Sequence, residues 1–185
     1  MSEILIAAMA FISTNIDDIF ITALLFSTVS GARDKVRIVA GRYAGCFALL
    51  AASAAGAAGL RNTAGEYTHL LGIIPLILGI KETRGLVTQK EQESIAVPGG
   101  LTAAAALMTI AGGGDNIGVY LPLLTGAGPG TVAVWSAVFA VMSGLWCGIA
   151  LALVSLPGLK TALEKHSRII TPAVYILLGI YILMG

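Results

Sequence analysis

The sequence predicts an all-α membrane protein of six transmembrane helices, arranged as two inverted three-helix repeats. Three observations predict it. First, 57% of the 185 residues are hydrophobic and only 11% are charged, whereas a soluble domain carries roughly 25% charged residues; mean hydropathy is +0.90. Second, the apolar residues gather into six blocks, four of them at or above the roughly 20 residues that a helix needs to cross a bilayer. Third, the basic residues lie almost wholly between alternate blocks.

The first block, Ile4–Val29, is too long for the apolar core of a cleavable signal peptide, and Glu3 stands where such a peptide is basic. It carries the polar run Ser13-Thr14-Asn15-Ile16-Asp17-Asp18. Asp17 lies about 13 residues into the block, near mid-bilayer at helical rise. Thr14 shares a helix face with Asp17 and Asp18 at spacings of three and four.

The second block, Val36–Leu60, contains Ala51-Ala52-Ser53-Ala54-Ala55-Gly56-Ala57-Ala58-Gly59. Small residues let helix backbones approach closely in lipid, so this run is assigned to packing. Arg42, one turn into the block, is expected to snorkel to the cytoplasmic surface; pairing with an acidic group is the alternative. The third block, Leu70–Ile80, is short, and a flanking Lys81 can cover the mismatch. The polar stretch Glu82–Pro98 reads as a solvated cytoplasmic linker. One transmembrane domain then fills residues 1–185, with repeat one at 1–81, the linker at 82–98 and repeat two at 99–185.

The fourth block, Val97–Thr125, holds Gly112-Gly113-Gly114-Asp115-Asn116, followed by Pro122. Three consecutive glycines weaken a helix by up to about 1 kcal/mol each. A break is expected there, freeing carbonyls toward a cavity, and Pro122 can bend the helix again. The fifth and sixth blocks are Thr131–Leu156 and the shorter Ile169–Met184. Trp135, Tyr67 and Tyr175 read as interface anchors, and His69 and His166 as headgroup-facing residues near span ends. Cys46 and Cys147 read as small buried apolar residues.

Six crossings place Arg33, Lys35, Arg37, Arg42, Lys81, Arg84, Lys90, Lys160, Lys165 and Arg168 on one side, and only Arg61 on the other. That side is cytoplasmic by the positive-inside rule, so both termini face outward. The halves also echo each other. Asp17-Asp18-Ile19 matches Asp115-Asn116-Ile117 at an offset of 98, and Leu78-Gly79-Ile80 matches Leu178-Gly179-Ile180 at an offset of 100. Three spans per repeat put the second repeat upside down, an arrangement transporters use to build a site near the midplane.

Asp17, Asp18 and Asp115 are the only carboxylates deep in apolar sequence. An ionisable group in hydrocarbon costs at least a few kcal/mol, which marks these positions as functional. With Asn15, Asn116, Thr14 and Ser13 they form an all-oxygen donor set, suited to hard divalent cations such as Mn²⁺, Mg²⁺ and Ca²⁺. When empty, such a site can take up protons, because burial and like charge both favour the neutral acid. That exchange is a physical basis for cation/proton antiport. The cation is cargo, and no cofactor is expected. With a net charge of +1 no nucleic-acid partner is expected either; the partners are the ion, protons, the lipid bilayer and a possible second copy of the chain.

The runs Phe11-Ile12-Ser13-Thr14-Asn15-Ile16-Asp17-Asp18, Gly41-Arg42-Tyr43-Ala44-Gly45, Leu71-Gly72-Ile73-Ile74-Pro75-Leu76-Ile77-Leu78-Gly79-Ile80-Lys81 and Gly114-Asp115-Asn116-Ile117-Gly118-Val119-Tyr120-Leu121-Pro122 resemble the cadmium resistance transporter family, within the lysine exporter superfamily. The resemblance implies a six-helix inner-membrane exporter of divalent metal ions. Related families export Mn²⁺ or exchange Ca²⁺ or Mn²⁺ for protons through acidic motifs on helices 1 and 4. Carried over by motif, Asp17, Asp115 and Asn116 lead the ion site, with Asn15 and Asp18 next. Arg42 departs from the pattern, in which glutamine is expected. The family name promises Cd²⁺, a soft ion that favours thiolate, yet neither acidic cluster contains cysteine.

Three other classes stay open, one of them a purely structural membrane protein. Gly112-Gly113-Gly114-Asp115 fits the Gly-x-Gly-Asp pattern of an intramembrane aspartyl protease. Against it, the chain is small, the aspartates lie on the first and fourth blocks, and no Pro-Ala-Leu motif occurs. An amino-acid exporter would bind a carboxylate at half-helix N-termini, but three acidic residues are poor hosts for an anion. An exporter that is not an enzyme is the expectation.

Overall fold

The computed structural model describes residues 2–64, 70–71, 73–83, 100–156, 173 and 176–184. All regular structure among them is helical: α1 (Glu3–Asn15), α2 (Asp18–Ser27), α3 (Ala32–Ala64), α4 (Ile73–Thr83), α5 (Gly100–Gly112), α6 (Gly114–Leu124) and α7 (Pro129–Ser155). Residues 176–183 are also helical. His69, His166, Tyr67, Tyr175 and most of the 82–98 linker lie outside the described residues.

Among the described residues, two stretches are long and apolar enough to cross a membrane by themselves, Ala32–Leu60 and Pro129–Ser155. The first expected block is a pair of helices, α1 and α2, bent by 59°; together they pass as a third span. The fourth block is likewise divided, into α5 and α6. Large apolar side chains stand exposed along these helices, among them Leu24, Val36, Leu107, Val141, Leu145 and Val154. Together they make an apolar outer surface that suits lipid better than water.

Two parallel pairings build the core. In the first, α3 runs alongside α5 and α6. A Cβ on Gly41 would run into the Thr102 carbonyl and Ala105, one on Gly45 would meet Thr109, and one on Gly56 would meet Leu121. The order rises together on both helices, so they point the same way. Glycine at 41 and 45 removes the side chain where the backbones touch, which is how small residues pack helices in lipid. In the second pairing, α7 runs alongside α1 and α2. Thr131 Oγ1 donates to Glu3 Oε1 at 2.9 Å, Phe11 packs edge-on against Phe139 with centroids 5.1 Å apart, and Trp146 Nε1 donates to the Asn15 carbonyl at 2.7 Å.

Trp135 is not an interface anchor. It is 2% exposed and packs with Tyr120 and Phe139. Its ring joins an aromatic layer of Phe11, Tyr120, Phe139 and Trp146. Aromatic edge-to-face packing and burial there exceed what an interfacial position would give a large ring. Pro122 lies inside α6 without ending it, two residues before the last helical position.

Candidate metal site

The first break follows from side chains that compete with the helix ladder. Ser13 Oγ and Thr14 Oγ1 donate to the Ala10 carbonyl at 2.9 and 3.0 Å. Asn15 Nδ2 donates to the Phe11 carbonyl at 3.0 Å. Such back-bonding loosens and bends helices. The Asn15 carbonyl, which leaves the ladder at the end of α1, is satisfied by Trp146. The chain turns at Ile16 and Asp17 and restarts at Asp18, the first residue of α2.

The second break is made by glycine. Gly113 N closes a tight turn onto the Ile110 carbonyl at 3.1 Å, and α6 restarts at Gly114. A side chain at Gly113 would overlap that of Leu49 on α3, so the backbone approaches α3 where only hydrogen fits. Asp115 lies in the first turn of α6, and its Oδ1 accepts from Asn116 N at 2.9 Å.

All three carboxylates therefore sit at the N-terminal ends of half-helices. The helix dipole presents partial positive charge there, and it offsets part of the cost of keeping them ionised. Asp17 is exposed and Asp115 half-buried. Asp17 lies within electrostatic reach of both Asp18 and Asp115.

Asp18 is already engaged. Its Oδ2 lies 2.9 Å from Arg42 Nη1, and both side chains are buried. The same Nη1 donates to Thr109 Oγ1 on α5 at 2.7 Å. Arg42 does not snorkel. It is ten positions into α3, about 15 Å along the axis at helical rise. An internal carboxylate is nearer than water, and unpaired burial of either charge would be costly.

Thr14 and Asn15 are tied to the second half of the molecule. Thr14 Oγ1 and Tyr120 OH lie 2.6 Å apart, and Asn15 Nδ2 lies 2.8 Å from the same hydroxyl. Tyr120 stands on α6, five residues beyond Asp115. Asn15 and Asn116 are both buried, and their Oδ1 atoms find no hydrogen-bond partner among the described residues. A buried carboxamide oxygen without a donor is unusual. Each break carries one. Among the described residues, no group of three His, Cys, Asp or Glu side chains converges on one point. The oxygens at the two breaks are instead of mixed kind, carboxylate and amide.

Residues 11–185 match the profile of the family described as Cadmium resistance transporter. The chain belongs to the cadmium resistance transporter family. Membership covers both breaks and nearly the whole sequence, and it identifies a membrane transport protein with a metal ion as substrate. Comparison with curated proteins and with solved structures gave no match.

Sequence reasoning missed the first break, Tyr120, Trp146 and the Thr109 partner of Arg42, and it gave the pairing of Arg42 with an acidic group only as the alternative. The run Ser13-Thr14-Asn15 was a signal for the break, since three residues that can bond their own backbone stand in a row. Tyr120 and Trp146 gave no signal, because a lone aromatic in apolar sequence reads as packing. Cys46 and Cys147 are buried free thiols, which agrees with the bland reading.

Proposed function

We propose that this transporter exports divalent cations through one site shared by the two helix breaks, in exchange for protons. The observation that carries the reading is the repeated construction. Each break places a carboxylate at a half-helix N-terminus, Asp17 or Asp115, beside a buried amide oxygen without a donor, Asn15 Oδ1 or Asn116 Oδ1. These four are the proposed ligands. Thr14 and Asp18, engaged with Tyr120 and Arg42, stand behind them. A divalent ion would supply the missing partner of both amides and offset the paired negative charge.

The two parallel pairings support six spans with inverted halves. In six alternating crossings, spans two and four point the same way, as do spans one and five; α3 with α5–α6 and α1–α2 with α7 follow that rule. A two-fold axis in the membrane plane that exchanges span one with four and two with five would convert one pairing into the other. Both termini are proposed to face outward across the inner membrane. A reporter active only in the cytoplasm should be silent at the C-terminus and active in the 82–98 linker.

All proposed ligands are oxygens, so cadmium would be carried without thiolate, and Mn²⁺ or Ca²⁺ could be carried by the same chemistry. Carboxylates that share one empty site cannot all stay ionised cheaply, and their titrations are coupled. Metal entry expels protons, and protons returning down their gradient reset the emptied site. In proteoliposomes an imposed pH gradient should drive cadmium flux, and added cadmium should move protons the other way. Cadmium flux indifferent to the gradient, with no proton movement, would contradict antiport.

A further inference from the structure

We propose that Arg42 is a resident cation of the ion site, which holds Asp18 out of the ligand set and fixes the negative charge that one ion has to meet. The proposal rests on the shared site described above and adds the residue that sets its charge. Asp18 and Arg42 are the only charged residues buried among those described. Their side chains are 7% and 6% exposed, with Nη1 and Oδ2 2.9 Å apart. A guanidinium never gives up its proton in a protein, so this is a permanent positive charge.

The pair bridges both breaks. Asp18 begins α2 immediately after the first break. Arg42 also donates to Thr109, one turn before the second break. The other carboxylate oxygen of Asp18 faces Gly112, where a Cβ would come within 3.7 Å of it. Arg42 cannot easily withdraw. Gly41 on one side and Gly45 on the other press its helix turn onto α5, with no space for even a methyl group. The guanidinium is therefore fixed between the helices that carry the carboxylates.

Its consequence is electrostatic. Asp17, Asp18 and Asp115 with Arg42 carry a formal charge of minus two, which one divalent cation neutralises. Without Arg42 the same cluster carries minus three and suits a trivalent ion. Without Asp18 but with Arg42 it carries minus one, with a positive charge facing the incoming metal. Arg42 is thus a specificity-determining residue that acts through Asp18, and it touches no transported ion.

The test titrates Cd²⁺ and Tb³⁺ into the purified full chain and into the variants Asp18→Asn, Arg42→Gln and the pair combined. Asp18→Asn should weaken Cd²⁺ binding by at least about tenfold, through uncompensated Arg42. The combined variant, which removes both charges and restores minus two, should return Cd²⁺ binding to within about threefold of the native protein. Arg42→Gln should shift preference toward Tb³⁺; should it not fold, the combined variant still decides. Native-like Cd²⁺ binding by Asp18→Asn overturns the proposal. So does a folded combined variant as weak as Asp18→Asn, which would make Asp18 a ligand. Asp115→Asn separates the two levels of the argument. If it leaves Cd²⁺ binding intact, the shared site itself is wrong. If it abolishes binding while the charge pattern fails, only the role of Arg42 falls.

Discussion

At the first break the helix is interrupted by side chains, and at the second by their absence. Ser13, Thr14 and Asn15 draw the backbone of α1 into side-chain bonds. Gly112, Gly113 and Gly114 offer no side chain, and Gly113 is pressed against Leu49. Both routes end with an aspartate at the start of a new helix and an amide oxygen beside it. A break is thus not a property of one residue type. It forms wherever the backbone is given another partner or room to approach a neighbour closely. The breaks differ in their electrostatics too. The first carries two aspartates and an arginine, the second a single aspartate.

The largest expected effect tests whether the breaks are equivalent in function. Asp115→Asn keeps the shape and removes one charge, and Asp17→Asn does the same at the other break. Each should weaken cadmium binding on the order of a hundredfold, since a charge facing a divalent ion across a few ångströms contributes several kcal/mol even at high effective dielectric. Cells carrying either variant should lose cadmium export while keeping normal amounts of protein in the membrane. Unchanged export with Asp115→Asn would reduce it to a structural role.

A smaller effect separates close approach from flexibility at the second break. Gly113→Leu places atoms where Leu49 already stands and should destabilise the fold by about 1–3 kcal/mol. A Cβ at Gly114 meets nothing within 4 Å, so Gly114→Ala should leave the thermal midpoint of the purified protein nearly unchanged. Equal losses at both positions would show that chain freedom, and not packing, makes this break.

Tyr120→Phe asks whether the two halves are mechanically joined. The hydroxyl reaches Thr14 and Asn15 from α6. Its removal should cost about 1 kcal/mol in stability, as for an ordinary buried hydrogen bond. Amide hydrogen exchange should rise around residues 13–18, far along the chain from the substitution. Faster exchange confined to α6 would contradict the link. The smallest effect is expected at the thiols. Cys46→Ala and Cys147→Ala should each cause only a modest loss of cadmium export, and complete loss with either would move the primary ligands from oxygen to sulfur.

The second break was legible because glycine triplets are rare inside apolar runs and their cost is local. The acidic motifs were legible because a carboxylate in hydrocarbon is conspicuous in any sequence. The first break was not, because Ser, Thr and Asn also sit in unbroken membrane helices, and their choice of backbone partner depends on Tyr120 and Trp146 arriving from elsewhere. Arg42 was misplaced for a related reason. Its distance to water along the helix can be counted in the sequence, but its distance to Asp18 depends on how α2, α3 and α5 meet. Trp135 reads as an interface anchor by residue type alone; only the packing of Tyr120 and Phe139 around it shows a core position.

The central claim, that both breaks contribute to one ion site, is tested most directly by counting. Equilibrium cadmium binding to the purified full chain should give a single ion per chain in the native protein. It should fall away in Asp17→Asn and in Asp115→Asn alike, with the double variant far less affected than the sum of the two single losses, as expected for groups sharing one ligand. Two ions per native chain, with each single variant losing only one of them at unchanged affinity for the other, would contradict it.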